Sequence, residues 1–198
     1  MEPIDQHPDR LRWNARYETY APLFASNSLA ASALAMDLPP GPVLDLACGP
    51  SGSALAAAAA GRRVTAVDVA DTALELLGAE AGQRGLAGLI CLVHADLAVW
   101  RPEPASYALV LGLGYWDRAV FAGACRAVKP GGVLAWEAFT QAARLDRPQL
   151  PEHWCVRPGE PATLLSADFD ILIDRPTDTE RDQRRQLLAR RVGAELAG

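Results

Sequence analysis

The sequence predicts an α/β fold: a mostly parallel sheet of seven strands, the last of them antiparallel, with helices on both faces and a helical lid at the N-terminus. Three observations carry this prediction. Apolar runs of strand length alternate with helix-like segments over residues 40–140, the pattern of strands buried on both faces and joined by crossover helices. The stretch VLDLACGPSGSALAAAAAG, Val43 to Gly61, passes from a strand through a glycine-containing turn into a helix. Acidic residues stand at the ends of three successive strands, at Asp45, Asp68 and Asp96. That is the edge at which open α/β sheets bind ligands.

The elements follow in order. Residues 11–36 read as helical, in one or two pieces broken at Pro22. LPPG then turns the chain into a buried strand over 42–47. Ser51 or Ser53 is a natural N-cap, and Gly61 a natural C′ residue, for the alanine-rich helix between them. RRVTAVDVA is a second strand, followed by a helix over 71–84; LICLVHADL is a third strand and YALVLGLGYW a fourth. A helix over 117–128 ends at KPGG, read as a turn, and VLAWEAF is the fifth strand. After a proline-containing connection over 141–160, two strands over 168–174 and 185–192 flank RPTD. So short a link makes them an antiparallel pair. The expected organisation is one domain, with a helical cap over 1–38, a ligand-binding core over 41–140 and a C-terminal part over 141–198.

Composition narrows the functions. The net charge is −5 and Lys129 is the only lysine, so no broad basic face exists to neutralise a phosphate backbone. Arg181, Arg184, Arg185, Arg190 and Arg191 cluster near the C-terminus but flank the apolar QLLA, which reads as an edge strand with charged ends. Nucleic acid is not an expected partner. No apolar run is long enough to span a membrane, and the opening MEPIDQHPDRLRW is polar, so the expected location is the cytoplasm. Cys48, Cys91, Cys125 and Cys155 form no CxxC pair and read as structural thiols, with no metal site. The chain is expected as a monomer or a homodimer.

The turn after the first strand asks which nucleotide it holds. A dinucleotide-binding turn reads GxGxxG, so that a helix N-terminus meets a pyrophosphate; DLACGPSGS does not. Asp45 before the turn would repel a pyrophosphate, which disfavours an NAD-type oxidoreductase, but suits a cofactor with a cationic head. S-adenosyl-L-methionine carries an ammonium and a sulfonium and no phosphate. Asp68 lies where an acid accepts hydrogen bonds from ribose hydroxyls. Asp96, in HAD, is placed to accept from an exocyclic amine such as that of adenine.

Together, VLDLACGPSG, VTAVDVA, HADL, YALVLGLGYW and VKPGGVLAWEAF resemble the successive motifs of class I S-adenosylmethionine-dependent methyltransferases. A finer resemblance, carried by RWNARYETYAP, LPPG, DLACG and LLARR, is to the small-molecule branch of tellurite-resistance and thiopurine methyltransferases. The resemblance implies a Rossmann-like fold, methyl transfer to a small molecule, and S-adenosyl-L-homocysteine as the product. It implies cofactor contacts from Asp45, Ala47, Gly49, Gly52, Asp68, Val69, Asp96, Leu97, Leu111 and Gly112. The chain departs from the family's DxGxGxG turn. Ala47 stands at the first glycine and Ser51 at the third, with Gly52 one residue later, where it could supply the close approach in a shifted register.

Gly112 and Gly114 flank Leu113 at the end of the fourth strand. Two glycines so close weaken a strand, and the methionine part of the cofactor is the expected occupant of the space. Trp13, Arg16 and Tyr17 share one helix face and are expected to cover the cofactor, with Arg16 or Tyr17 near its carboxylate. Tyr115, Trp116, Arg118 and Phe139 are expected in the acceptor pocket, whose aromatic and arginine content suits a planar or anionic molecule. Tyr115 and His153 are the candidates for an acid–base role. His7 is expected in a frayed tail. The alternative to catalysis is a regulatory protein that binds S-adenosylmethionine without transferring its methyl group.

Overall fold

A computed structural model describes residues 4–177 and 183–193. Seven strands form one sheet: β1 (Val43–Leu46), β2 (Val64–Asp68), β3 (Ile90–His94), β4 (Tyr107–Leu113), β5 (Val128–Phe139), β6 (Phe169–Pro176) and β7 (Arg184–Arg191). Their order is β3-β2-β1-β4-β5-β7-β6. The first five run parallel, while β7 is antiparallel to both β5 and β6. This is the doubly wound 3-2-1-4-5-6 order with β7 inserted before β6.

The helices are α1 (Pro8–Thr19), α2 (Ser28–Leu34), α3 (Gly52–Ala59), α4 (Asp71–Gln83), α5 (Arg118–Ala127) and the single turn α6 (Ala143–Asp146). Side chains alternate across each strand, so the sheet supports two cores. Leu44, Leu46, Val110 and Leu134 face α5, whose Phe121 packs edge-on to Trp136 at 5.2 Å. Val43, Leu109, Leu111 and Val133 face the layer holding α2, α3 and α4.

The expected elements are present, with four differences. Residues 11–36 divide at Pro22, one of the two expected forms, into α1 and α2 with an extended segment between; the difference is that α1 starts three residues early, capped by His7, whose Nδ1 accepts from the Asp9 amide. His7 is therefore the cap of the lid helix and not part of a frayed tail. KPGG is folded into β5 as an irregularity, residues 129–132 standing against Ala108 alone between the Tyr107–Val128 and Leu109–Val133 pairs. The arginine-flanked QLLA is no edge: β7 is interior and β6 forms the edge. Three of its arginines pair with carboxylates, Arg184 with Glu137, Arg185 with Asp174 and Arg191 with Asp168, while Arg190 donates to the Asp37 and Gly131 carbonyls; Arg181 lies outside the described residues. Cys91, expected in a buried strand, is exposed on edge strand β3, whereas Cys125 and Cys155 are buried.

α1 buries none of its residues, so apolar burial does not hold it. Polar contacts tie it to α4: Arg10 and Asn14 both donate to the Asp71 carboxylate, at 2.6 and 2.5 Å. The Arg10 guanidinium, with help from the Asn14 amide, holds the Asp71 carboxyl well below the usual carboxylate range. At its other side Trp13 stacks on Trp154 with centroids 6.2 Å apart, and the Arg12 guanidinium lies 4.7 Å from the Trp154 ring. α1 thus spans from the start of α4 to the 141–157 connection, across the C-terminal ends of the parallel strands.

Candidate cofactor and acceptor site

Under α1 lies a cavity of about 530 Å³. The sheet order fixes its long axis, because each strand end contributes in turn. Asp96 and Leu97 follow β3, Asp68 and Val69 close β2, residues 47–50 follow β1, residues 113–116 close β4, Phe139 ends β5 and Arg184 begins β7. Trp13, Arg16 and Tyr17 line it from α1, as the shared helix face predicts. The cavity lies where strand order reverses, between β1 and β4, the usual ligand position in such sheets.

The turn after β1 is bound to β2 through Asp68. Its Oδ2 accepts from the Gly49 amide at 2.7 Å and its Oδ1 from the Ala70 amide at 2.8 Å. Only 7% of Asp68 is exposed. Burial raises its pKa, opposed by the amide donors. Each carboxylate oxygen keeps a second lone pair for another donor. Gly49 has φ +56°, and a Cβ there would meet the Tyr17 hydroxyl at 2.9 Å. The glycine lets α1 close on the turn. Burial also pushes the Tyr17 and Tyr115 hydroxyls above their ordinary range, which keeps both neutral.

Ala47 lines the cavity with φ +49°. That left-handed conformation costs an L-residue about 1–2 kcal/mol. The position where the resembled family carries a glycine is thus a glycine-like position here too. Asp96 keeps one oxygen on the Ala98 amide at 2.8 Å, while its other lies 3.8 Å from His7 Nε2.

Six of the expected site residues do not line the cavity. Asp45 is 1% exposed beneath the turn, with the Ser51 hydroxyl donating to it at 2.6 Å. The same hydroxyl accepts from the Ala54 amide, so Ser51 is the N-cap of α3. Burial pushes the Asp45 carboxyl up to about 7. Any influence it has on a cofactor acts through the turn and not by contact. Gly52 is not a displaced cofactor glycine: a Cβ there would come within 2.4 Å of the Phe24 and Ala25 backbone, which crosses over the start of α3. Gly112 likewise makes room for the Trp136 ring, within 2.5 Å of where its Cβ would be, and not for a methionine chain. Leu111 belongs to the core facing α2 and α3. Arg118 pairs with Glu160 outside the cavity, and His153 is exposed and absent from the lining.

The lining also holds residues that the sequence does not place in the site. His7 and Asp9 come with the early start of α1 and Arg12 from its first turns; Arg147, Gln149, Leu150 and Trp154 come from the connection after β5. The connection folds back because the Val156 amide donates to the Phe139 carbonyl, and Leu150, Cys155 and Ala143 form a small core beside Phe139 and Trp154. The tryptophan in an otherwise polar connection was the one visible signal. Glu137, 2% exposed, accepts from Asn27 and Arg184 at 3.0 Å and from Gln186 at 2.7 Å, anchoring this wall.

Among the described residues no cluster of His, Cys, Asp and Glu could hold a metal, and no helix is long and apolar enough to cross a membrane. No curated protein matches the chain. Solved structures match it in fold at low identity. One, described with the conversion of a disulfide bond into a thioacetal group during echinomycin biosynthesis, is 20% identical with a TM-score of 0.68, covering 93% of each chain. The geranyl diphosphate C-methyltransferase of Streptomyces coelicolor A3(2), in complex with magnesium, geranyl diphosphate and S-adenosyl-L-homocysteine, is 13% identical with a TM-score of 0.65, over 96% of this chain and 84% of that one. The [4+2]-cyclase SpnF is 15% identical with a TM-score of 0.62, over 83% and 80%. Residues 43–132 match the family model of the methyltransferase domain. Residues 43–132 are thus similar to a methyltransferase domain, and the chain has the Rossmann-like fold of the matched structures.

Proposed function

We propose that this chain transfers a methyl group from S-adenosyl-L-methionine to a small-molecule acceptor, within the branch that resembles tellurite-resistance and thiopurine methyltransferases. The observation that carries the reading is the Asp68 carboxylate. It is buried at the end of β2, lines the cavity, and is held by two backbone amides with lone pairs to spare. Such an acid accepts from ribose hydroxyls. Asp68, at the cavity wall, suits a ligand that offers hydrogen-bond donors there better than one that presents a phosphate.

In this reading Asp96 and the Leu97 amide meet the adenine, and Val69 packs against it. Ala47 and Gly49 approach the amino-acid part of the cofactor, with Arg16 or Tyr17 at its carboxylate and Trp13 as cover. Tyr115, Trp116 and Phe139 line the acceptor side. When bound, the cofactor supplies a methyl group on a sulfonium leaving group. The protein's work is to align the acceptor and exclude water. Tyr115 stays protonated at neutral pH, so it donates a hydrogen bond and does not serve as a base. An acceptor that is already nucleophilic, such as a thiolate, needs nothing more.

A second reading, cofactor binding without transfer, is favoured by the exposed position of His153, which places no histidine among the described residues that line the acceptor side. The two separate in one experiment: incubation with labelled S-adenosylmethionine and a panel of thiols, oxyanions, phenols and amines. Transfer to any acceptor, abolished in Asp68→Ala, supports the enzyme. Cofactor binding with no transfer to any of them supports the second reading.

A further inference from the structure

The cavity is charged differently along its axis. Asp68 and Asp96 stand at the β2 and β3 ends, whereas Arg147 and Arg184 stand at the β5 and β7 end. Three strand spacings, about 14 Å, separate β2 from β5. The two arginines differ. Arg184 donates to the buried Glu137 at 3.0 Å and lies 4.5 Å from the Phe139 ring centre. Arg147 lies 5.1 Å from the same centre, has no carboxylate partner among the described residues, and has its Nη1 shielded from solvent with no hydrogen-bond acceptor. Partly buried arginines elsewhere in the chain, Arg10, Arg185 and Arg191, each meet an aspartate. Arg62 and Arg190, also partly buried, donate to backbone carbonyls, whereas Arg147 keeps Nη1 without an acceptor and lines the acceptor end of the cavity.

We propose that the methyl acceptor is an organic oxyanion, a carboxylate or a phosphate ester, whose charged group is received by Arg147 and whose flat body lies against Phe139 and Trp154. This rests on the methyl-transfer reading above and names its substrate class. A guanidinium presents a planar fork of donors that matches either oxyanion. The Arg147 guanidinium lines the cavity and meets no carboxylate among the described residues, so an oxyanion of the ligand supplies its partner. Phe139 and Trp154 supply the aromatic walls on which a planar ligand packs, and Leu150 closes the apolar side.

The test uses the full chain saturated with S-adenosyl-L-homocysteine and calorimetric titration with three probes: 4-hydroxybenzoate, its neutral analogue 4-hydroxybenzamide, and phenyl phosphate. The expected result is that at least one anion binds about tenfold more tightly than the amide, the better anion identifying the oxyanion. In Arg147→Gln that preference disappears while homocysteine-cofactor affinity is retained, and Arg147→Lys recovers part of it. An amide that binds as well as both anions overturns the proposal. So does a preference that survives in Arg147→Gln, binding of none of the probes, or loss of cofactor affinity in that variant. Failure of the unmodified protein to bind S-adenosyl-L-homocysteine is a different result: it removes the methyl-transfer reading and the substrate class with it.

Discussion

The Gly49 amide donates to Asp68 Oδ2 at 2.7 Å, joining the turn after β1 to the end of the neighbouring strand β2. One carboxylate therefore shapes the turn and offers its remaining lone pairs to a ligand. Removing it takes away both. Asp68→Ala leaves the Gly49 and Ala70 amides without their acceptor and removes a charged hydrogen-bond partner worth about 1.5–3 kcal/mol. Affinity for S-adenosyl-L-homocysteine should fall at least about tenfold, measured by calorimetry. An unchanged affinity would contradict the ribose assignment.

The glycines predict opposite signs. In Gly52→Ala the new methyl meets the Phe24 and Ala25 backbone, which cannot rotate away. Chemical denaturation should show a loss at or above the upper end of the roughly 1–3 kcal/mol seen for overpacking. Gly82→Ala sits in α4 with nothing within 4 Å, and should gain about 0.4–1 kcal/mol by narrowing the unfolded ensemble. Equal effects would mean that the crossing over α3 is looser than the structure gives.

Asp45 makes stability depend on pH. Burial raises its pKa from 3.8 to about 7 in the folded protein. The folded state therefore holds a proton that the unfolded state releases. The resulting stabilisation is complete below pH 3.8 and is lost as pH rises through about 7. Asp68 moves in the same direction. In Asp45→Asn that contribution is gone, so the melting temperature of the unmodified protein should fall relative to the variant between mildly acidic and neutral pH. Parallel melting curves across this range would refute the buried titration.

The lid helix is held by polar and aromatic contacts rather than burial. Asp71→Ala removes the acceptor of both Arg10 and Asn14. Hydrogen exchange should accelerate in residues 8–19 and leave β1, β4 and β5 protected. Uniform acceleration across the sheet would show that α1 is part of the core and not a cover.

The strands and crossover helices were legible because both sheet faces are buried, and burial writes itself as continuous apolar runs such as Val43–Leu46 and Tyr107–Leu113. β7 was misread as an edge because its arginines resemble solvated flanks. Their partners, Glu137, Asp174 and Asp168, are brought near only by the fold. The same holds for glycine. Gly52 and Gly112 look like cofactor glycines until Phe24 and Trp136, distant in sequence, are seen to occupy the space. Asp68 and the α1 face could be read because their placement depends only on local strand and helix periodicity. Arg147 could not, since its place in the cavity depends on how a connection without long elements folds back on β5.

The central claim is that the crevice holds S-adenosylmethionine through Asp68. Calorimetric titration of the full chain with S-adenosyl-L-methionine, S-adenosyl-L-homocysteine and NAD tests it most directly. The account predicts submillimolar binding of both adenosyl compounds, lost in Asp68→Ala, and no binding of NAD. Binding of NAD, or no saturable binding of either adenosyl compound up to millimolar concentration, would contradict it.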